Sequence, residues 1–257
     1  MSKITRLTSK LKKTKILEKH PLIRKHIPAT AKMTSASLKA MLAKYSMVYV
    51  KPVCGTHGIG VMRVEQLHGG PFRYRYQSGT KVRRFTDFAK LYQSLKSMTR
   101  GKAYLVQKGI HLLKHGGRPF DIRVMVQRNP KGVWEHTAMI GRVAHPKKIV
   151  TNFHNGGRLL SVPALLSSHV RAARKKTPIR RMGLLGLQVA RKLGSRYPGM
   201  MEIGVDVALD ARLKPWVLEV NTKPDPYIFR ALRDKSVFRK VVRYAKAYGK
   251  FKKRRRS

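Results

Sequence analysis

Short apolar runs recur along the chain, several of them alternating with polar residues, and they predict strands. MVYVK (47–51) and VMRVEQ (61–66) flank a glycine-rich loop, CGTHGIG, while FRYRYQ (72–77) and KVRRF (81–85) flank SGT. AYLVQKGI (103–110) predicts a strand running into a glycine hinge. FDIRVMVQ (120–127) and VWEHTAMIGRVA (133–144) pair around RNPKG, whose Asn-Pro and Gly mark a turn. IGVDVAL (203–209) and PWVLEV (215–220) predict a hairpin with its turn centred on ARLK.

The helical pattern is weaker at the start and stronger later. Leu7, Leu11, Ile16 and Leu17 make a loose stripe that Pro21 and Pro28 interrupt. SASLKAMLAKY (35–45) predicts a short helix capped by Ser35 or Ser37, and TDFAKLYQSLKSM (86–98) one capped by Thr86. PALLSSHV (163–170), IRRMGLLGLQVARKLGSRY (179–197) and a final stretch over 227–249, as one helix or two, complete the set, and NFHNGGR (152–158) reads as a loop. Strands and helices alternate, but most strand pairs are antiparallel, which predicts an α+β fold rather than a doubly wound parallel sheet.

Composition sharpens this picture. The chain of 257 residues carries 58 Lys+Arg against 11 Asp+Glu, a formal net charge of +47. Such an excess implies polyanionic company: nucleotide phosphates, nucleic acid, or an acidic polymer or coat surface. Six of the eleven acids, Glu202, Asp206, Asp210, Glu219, Asp225 and Asp234, fall in one short stretch, so that stretch needs them. The length allows one two-lobed unit or two small domains. Cys54 is the only cysteine, so no intrachain disulfide forms, in keeping with a reducing compartment. MSKITRLTSKLKKTK is basic without a following apolar region, so it is not read as a secretory signal, and no apolar run reaches about 18 residues, so no membrane-spanning helix is expected. The expected location is the cytoplasm. FKKRRRS (251–257) reads as a solvated basic tail, disordered or bound to a polyanion.

Candidate chemistry gathers on the acidic hairpin. A turn centred on ARLK puts Asp206 directly opposite Glu219, and the two-residue period puts Asn221 on the face of Glu219. Facing carboxylates repel, and an amide oxygen beside them points to a hard divalent cation with oxygen ligands, Mg²⁺. Gly55, Gly58 and Gly60 would let backbone N–H groups approach phosphate oxygens. A strand follows this loop rather than a helix, and no G-x-x-x-x-G-K-[ST] occurs, so it is a hairpin lid and not a P-loop. Lys51 ends the strand before it. Asp121 and Arg123 share a strand face, and Arg142 in the partner strand would join them as a clamp for a phosphoryl group. Taken singly, these also fit a plain turn, a surface lysine and a surface ion pair worth about 0–1 kcal/mol. His111, His115, His136, His145 and His154 lack metal-ligand spacing. Tyr74 and Tyr76 among Arg73, Arg75, Arg83 and Arg84 could stack bases, but the same alternation describes a half-buried lid hairpin, the preferred reading.

In order, VYVKP, CGTHGIGVMRV, YLVQKGI, FDIRVMVQ, GRVA, TNFHNGG, GVDVALD and VLEVNTKPD resemble the ATP-grasp superfamily, and within it the YheC/YheD group described as endospore coat-associated. The resemblance runs from residue 48 to about 227. It implies two α+β lobes clamping ATP: a basic helical N-terminal segment (1–46), a lid lobe with the glycine hairpin (47–108), a metal and catalytic lobe (109–249), and a basic tail (250–257). It further implies that Lys51 contacts nucleotide phosphates under a loop of Gly55, Gly58 and Gly60. Gln107, Lys108, Gly109 and Ile110 would form the hinge beside adenine. Arg123 and Arg142 would bind phosphate or an acyl phosphate, and Asn152 with Gly156 and Gly157 would sit near the γ-phosphate or the acceptor. Asp206, Glu219 and Asn221 would hold Mg²⁺. The implied activity is ligation of a carboxylate to an amine or thiol through an acyl phosphate. Such ligases carry a sizeable α/β domain before the lid, whereas a short basic segment precedes VYVKP here, so the acceptor site would be truncated or supplied by a partner. The alternative is a spore-coat-associated structural protein of the same architecture that binds a polyanion with little or no ligase activity.

Overall fold

The computed structural model of the protein describes residues 4–56, 58–151 and 156–251. In chain order the first elements are α1 (Lys10–Glu18), α2 (Pro21–Arg24), β1 (Thr30–Lys32) and α3 (Ser35–Tyr45). Then follow β2 (Met47–Pro52), β3 (Met62–Gln66), β4 (Tyr74–Ser78), β5 (Lys81–Phe85), α4 (Phe88–Thr99) and β6 (Tyr104–Lys108). The second half contains β7 (Lys114–His115), β8 (Arg118–Arg128), β9 (Trp134–Val143), β10 (Arg158–Leu160), α5 (Val162–Leu165) and α6 (Lys176–Arg196). It closes with β11 (Glu202–Leu209), β12 (Pro215–Asn221), a 3₁₀ turn (Tyr227–Ala231) and α7 (Lys235–Ala247).

Two antiparallel sheets result. The first runs β1-β6-β2-β3-β4-β5 and the second β10-β9-β8-β11-β12, with β7 hydrogen-bonded to β8. The pairs β2–β3, β3–β4, β4–β5, β8–β9 and β11–β12 are antiparallel because their connections are too short for a parallel crossover, and β1–β6, β2–β6 and β8–β11 pair antiparallel across longer connections. In the first lobe Leu38, Leu42, Leu91 and Leu95 of α3 and α4 pack with Val48, Val50, Val64 and Tyr76. Tyr76 is buried and stacks on Phe85, and Tyr74 meets Phe88 edge-on. These tyrosines serve the lobe's own packing, as a lid hairpin requires.

The second sheet is covered on both faces. Ile122, Val124 and Val126 share a core with Met182, Leu185, Val189 and Leu193 of α6. On the opposite face Met125, Ala138 and Ile140 pack against Phe229 and Val241. The alternation of β8 therefore separates two cores, and its odd-numbered residues continue from Met125 to Arg123 and Asp121. α6 lies close to the sheet because Gly194 offers no side chain: a Cβ there would come within 2.8 Å of the Trp134 ring nitrogen.

Residues 4–45 are divided between the lobes. Thr30, Ala31 and Lys32 pair with Gln107, Val106 and Leu105, and α3 covers the first sheet. Leu17, Ile23 and Ile27 enter the core of the second lobe. Local details differ from the sequence expectation. Thr34, not Ser35 or Ser37, caps α3, with Ser37 returning the bond in a capping box. Asp87, not Thr86, caps α4, since its carboxylate accepts from the Lys90 amide at 2.8 Å. Arg158, the last residue of the expected loop, instead begins a short strand with Leu159 and Leu160 that pairs with β9.

Candidate functional site

The register of the second sheet aligns the chemistry. Asp206 lies between Arg123 on β8 and Glu219 on β12, and Asp121 lies opposite Arg142. Residues paired across neighbouring strands share a face, so all five occupy one face of the sheet. Asn221, two residues beyond Glu219, joins them, and its amide nitrogen donates to Asp206 Oδ2 at 3.3 Å.

This face carries a buried ion network. Arg123 donates from Nε to Asp206 Oδ1 at 2.5 Å and from Nη2 to Oδ2 at 3.2 Å. Arg142 binds Asp121 through two bonds of 2.8 and 2.5 Å, and its Nη2 also lies 3.0 Å from Asp206 Oδ2. All four side chains are at least nine-tenths buried. Burial alone would raise the Asp206 carboxyl, but Arg123 and Arg142 overcome it and hold the group below its ordinary value. Burial likewise works against the Arg142 charge, and Asp121 and Asp206 raise it instead. Gly204 makes room for the network, since a Cβ there would meet Arg123 Cδ and Pro224 Cβ at 2.9 Å.

A cleft of about 90 Å³ separates the lobes. Tyr49, Val61, Ile110, Ile149 and Leu218 make its apolar walls, and Lys51, Asp121, Arg142, Asp206 and Glu219 make its charged ones. Lys51 reaches in from β2 and donates to Gln107 Oε1 at 2.7 Å, and Gln107 in turn donates to Thr30. Burial pushes the Lys51 ammonium down to about 8 against the pull of Glu219. The lid touches the far wall where Tyr49 donates to the Ile149 carbonyl and Gln77 to the Lys147 carbonyl.

Sequence reasoning missed a contribution from α1. The Leu7 amide donates to Thr222 Oγ1 and the Lys10 amide to the Val53 carbonyl, so this segment straps one lobe to the other. Lys10 Nζ donates to the Gly55 carbonyl at 2.7 Å and stands 3.5 Å from Glu219 Oε1. Lys13 is buried at 5% exposure, and burial pushes its ammonium down to about 8, opposed by Glu219. A weak apolar stripe in a lysine-rich stretch carried no signal for this.

The remaining candidate residues divide plainly. Lys51, Gly58, Gln107, Lys108, Ile110, Arg142, Asp206 and Glu219 line the cleft. Arg123 and Asn221 stand behind it, touching Asp206. Gly55 meets Lys10, and Gly60 packs against Tyr104 and Pro52. Gly109 is not a slack hinge, because its N–H bonds the Met47 carbonyl and a Cβ would strike Met47. Gly156 and Gly157 lead into β10 and do not line the cleft. Asn152 lies outside the described residues.

The oxygen donors Asp206, Glu219 and Asn221 fit a hard divalent cation that leaves positions for water and phosphate. An ammonium already stands beside Glu219, and the Asn221 carbonyl oxygen makes no hydrogen bond among the described residues. No group of three or more His, Cys, Asp or Glu suited to a metal occurs among those residues. No helix among them is long and apolar enough to cross a membrane.

Two α+β lobes meeting over a cleft with charged walls form the ATP-grasp architecture. The chain belongs to the YheC/D-like ATP-grasp family, whose model matches residues 5–251. It is 27% identical over 219 residues to the endospore coat-associated protein YheD of Bacillus subtilis (strain 168), covering 83% of this chain and 48% of that protein. It is 22% identical over 211 residues to YheC of the same organism, covering 81% and 57%. The chain thus spans about half the length of these curated relatives. Among solved structures, the D-cycloserine synthetase DcsG shares the fold with a TM-score of 0.57 at 13% identity, over 94% of this chain and 70% of that one.

Proposed function

We propose that the chain binds Mg²⁺-ATP between its lobes and uses it to ligate a carboxylate to an amine or thiol. The observation that carries this reading is the pairing of Asp206 and Glu219 on the sheet face that also bears Arg142, across the cleft from Lys51 of the other lobe. The apolar walls would take the base, beside Gln107, Lys108 and Ile110. Lys51 and Arg142 would take phosphate oxygens, with Arg123 keeping Asp206 ionised behind them. Asp206, Glu219 and Asn221 would hold the metal, which supplies charge neutralisation at the phosphates when bound. A substrate carboxylate oxygen then attacks the γ-phosphorus and ADP leaves with the bridging oxygen. The amine or thiol, losing its proton, displaces phosphate from the acyl phosphate. Positioning and electrostatics supply the catalysis, and no protein nucleophile is required. Cys54, exposed at the mouth of the lid, is not needed. The cleft is smaller than the roughly 300–1,000 Å³ of small-molecule pockets, so entry requires the lobes to part.

A thermal-shift titration with ATP, with and without Mg²⁺, tests this. At a hundredfold excess over Kd, binding adds about 2.7 kcal/mol, a rise of roughly 5–11 °C for a chain of this size. The rise should require Mg²⁺ and disappear in Glu219→Ala. No rise in the wild type would mean a scaffold that no longer binds nucleotide.

A second reading has its own observation. Between α1 and α6 lies a groove of about 610 Å³ lined by Lys12, Lys15, Lys19, Lys192 and Arg196 with Ile16, Ser195 and Tyr197, and no acid. It suits a polyanion, and the names of the relatives suggest the endospore coat as the setting. Affinity for duplex DNA as a probe should fall linearly in log K against log salt, with a slope of about −4 to −5 if all five cations engage. A flat response would dismiss the groove as a binding surface.

A further inference from the structure

α1 brings two lysines to the charged end of the cleft, and their surroundings set them apart from the many surface lysines of this chain. Lys10, Lys13, Lys51, Gln107 and Glu219 line one small cavity of about 20 Å³ where α1, β2, β6 and β12 meet. Three ammonium groups share it with one carboxylate. Asp206 nearby is already engaged by Arg123 and Arg142. Lys10 is the one lysine of the three within 4 Å of Glu219, and at 3.5 Å it is too far for a hydrogen bond. Its good bond goes to the Gly55 carbonyl of the lid. Lys13 is buried and, among the described residues, its ammonium makes no hydrogen bond and no ion pair within 4 Å. Its enclosed stem holds the ammonium at a cost in hydration, yet Nζ itself still reaches open space, as a cation placed to meet an anion would. Lys51, Gln107 and Glu219 also line the main cleft, so the small cavity shares with it the wall where the phosphates of the proposed nucleotide would lie.

We propose that α1 forms the cationic wall for the terminal phosphoryl group of the bound polyphosphate. As the divalent cation takes Glu219, Lys10 passes from that carboxylate to a phosphoryl oxygen, and Lys13 supplies a second positive charge from behind. The strap between the lobes is therefore also part of the anion site, and it reads the last phosphate rather than the base. This rests on the nucleotide reading above.

Calorimetric titration of Mg²⁺ with ATP, ADP or tripolyphosphate tests it on wild type, Lys10→Gln and Lys13→Met. Charge-assisted contacts of this kind correspond to about a tenfold to hundredfold change in affinity. Both variants should lose that much for ATP and for tripolyphosphate, and clearly less for ADP. In the ligand-free protein Lys13→Met should melt at a higher temperature than wild type, so that stability and affinity move in opposite directions. Unchanged ATP affinity in both variants, with wild type binding normally, overturns the wall and leaves the nucleotide site standing. Equal losses for ATP and ADP overturn the assignment to the last phosphate. Tripolyphosphate binding that needs Lys10 and Lys13, without ATP binding, sinks the nucleotide reading but keeps the anion site. If wild type binds neither, both readings fall together.

Discussion

Arg142→Leu is expected to destabilise the protein by about 3–5 kcal/mol, because it breaks a buried ion pair and leaves its partner charged. Among the described residues Arg142 is the ion-pair partner of Asp121 within 4 Å, and Asp121 is 2% exposed, so the variant leaves it buried without a contacting cation. Asp206 would keep Arg123 but lose the Nη2 contact at 3.0 Å. At about 2–4 °C per kcal/mol, the melting temperature should fall by roughly 6–20 °C. Pairing the change with Asp121→Asn should recover part of the loss, since the stranded charge is then gone. The pH profile adds a signature. Asp206 has a depressed carboxyl, so its contribution is present above the unfolded-state value and is lost as pH falls through the folded one. The variant should show a shallower acid-side slope than wild type. A loss below about 1 kcal/mol in urea unfolding would mean that the network behaves as a solvated surface pair.

Leu17→Ala should cost about 2–5 kcal/mol, the range for truncating a core leucine. The residue sits in a helix that reads as a basic segment with only a loose apolar stripe, yet it is 1% exposed and belongs to the core under α6. Leu22, nearby in α2 but 51% exposed, provides the control and should change stability by no more than about 0.5 kcal/mol when truncated. Equal effects at the two positions would show that the N-terminal segment does not dock as described.

Residues whose role follows from strand period were legible in the sequence. Asp121 and Arg123 share a face by the two-residue period, but Arg142 joins them only because Thr137 is the extra residue of a bulge: the register set at Arg128–Trp134 alone would place Arg142 opposite Phe120. The facing of Asp206 and Glu219 is as expected, but by a different route. The hairpin closes at the Leu209–Pro215 pair, which alone would set Asp206 against Leu218. Leu218 is instead the extra residue of a bulge, and pairing beyond it shifts by one to bring up Glu219. A bulge of one leucine in an apolar run leaves no local mark. Nor does a three-residue strand such as β1, too short to show a period. The lysines of α1 were illegible for another reason: in a chain of 58 basic residues, two more carry no information until a fold gathers them around one acid. The difference between Arg142 in the cleft and Arg123 behind it likewise depends on tertiary packing.

The strap has a consequence for the order in which the molecule is made. All pairings of the first sheet lie between residues 30 and 108, so that lobe can close while the rest is still being synthesised. The partners of the strap come far later: Leu7 bonds Thr222, 215 positions away, and Thr5 bonds Gly199. At 5–20 residues per second, α1 waits roughly ten to forty seconds for its dock to appear. A conventional amphipathic helix would spend that interval with a sticky face open to the nascent chain. KLKKTKILE has little such face to offer, and its lysines keep it hydrated until the second core arrives. The composition that hides α1 from a sequence reader also suits a segment that is translated long before the residues it docks on.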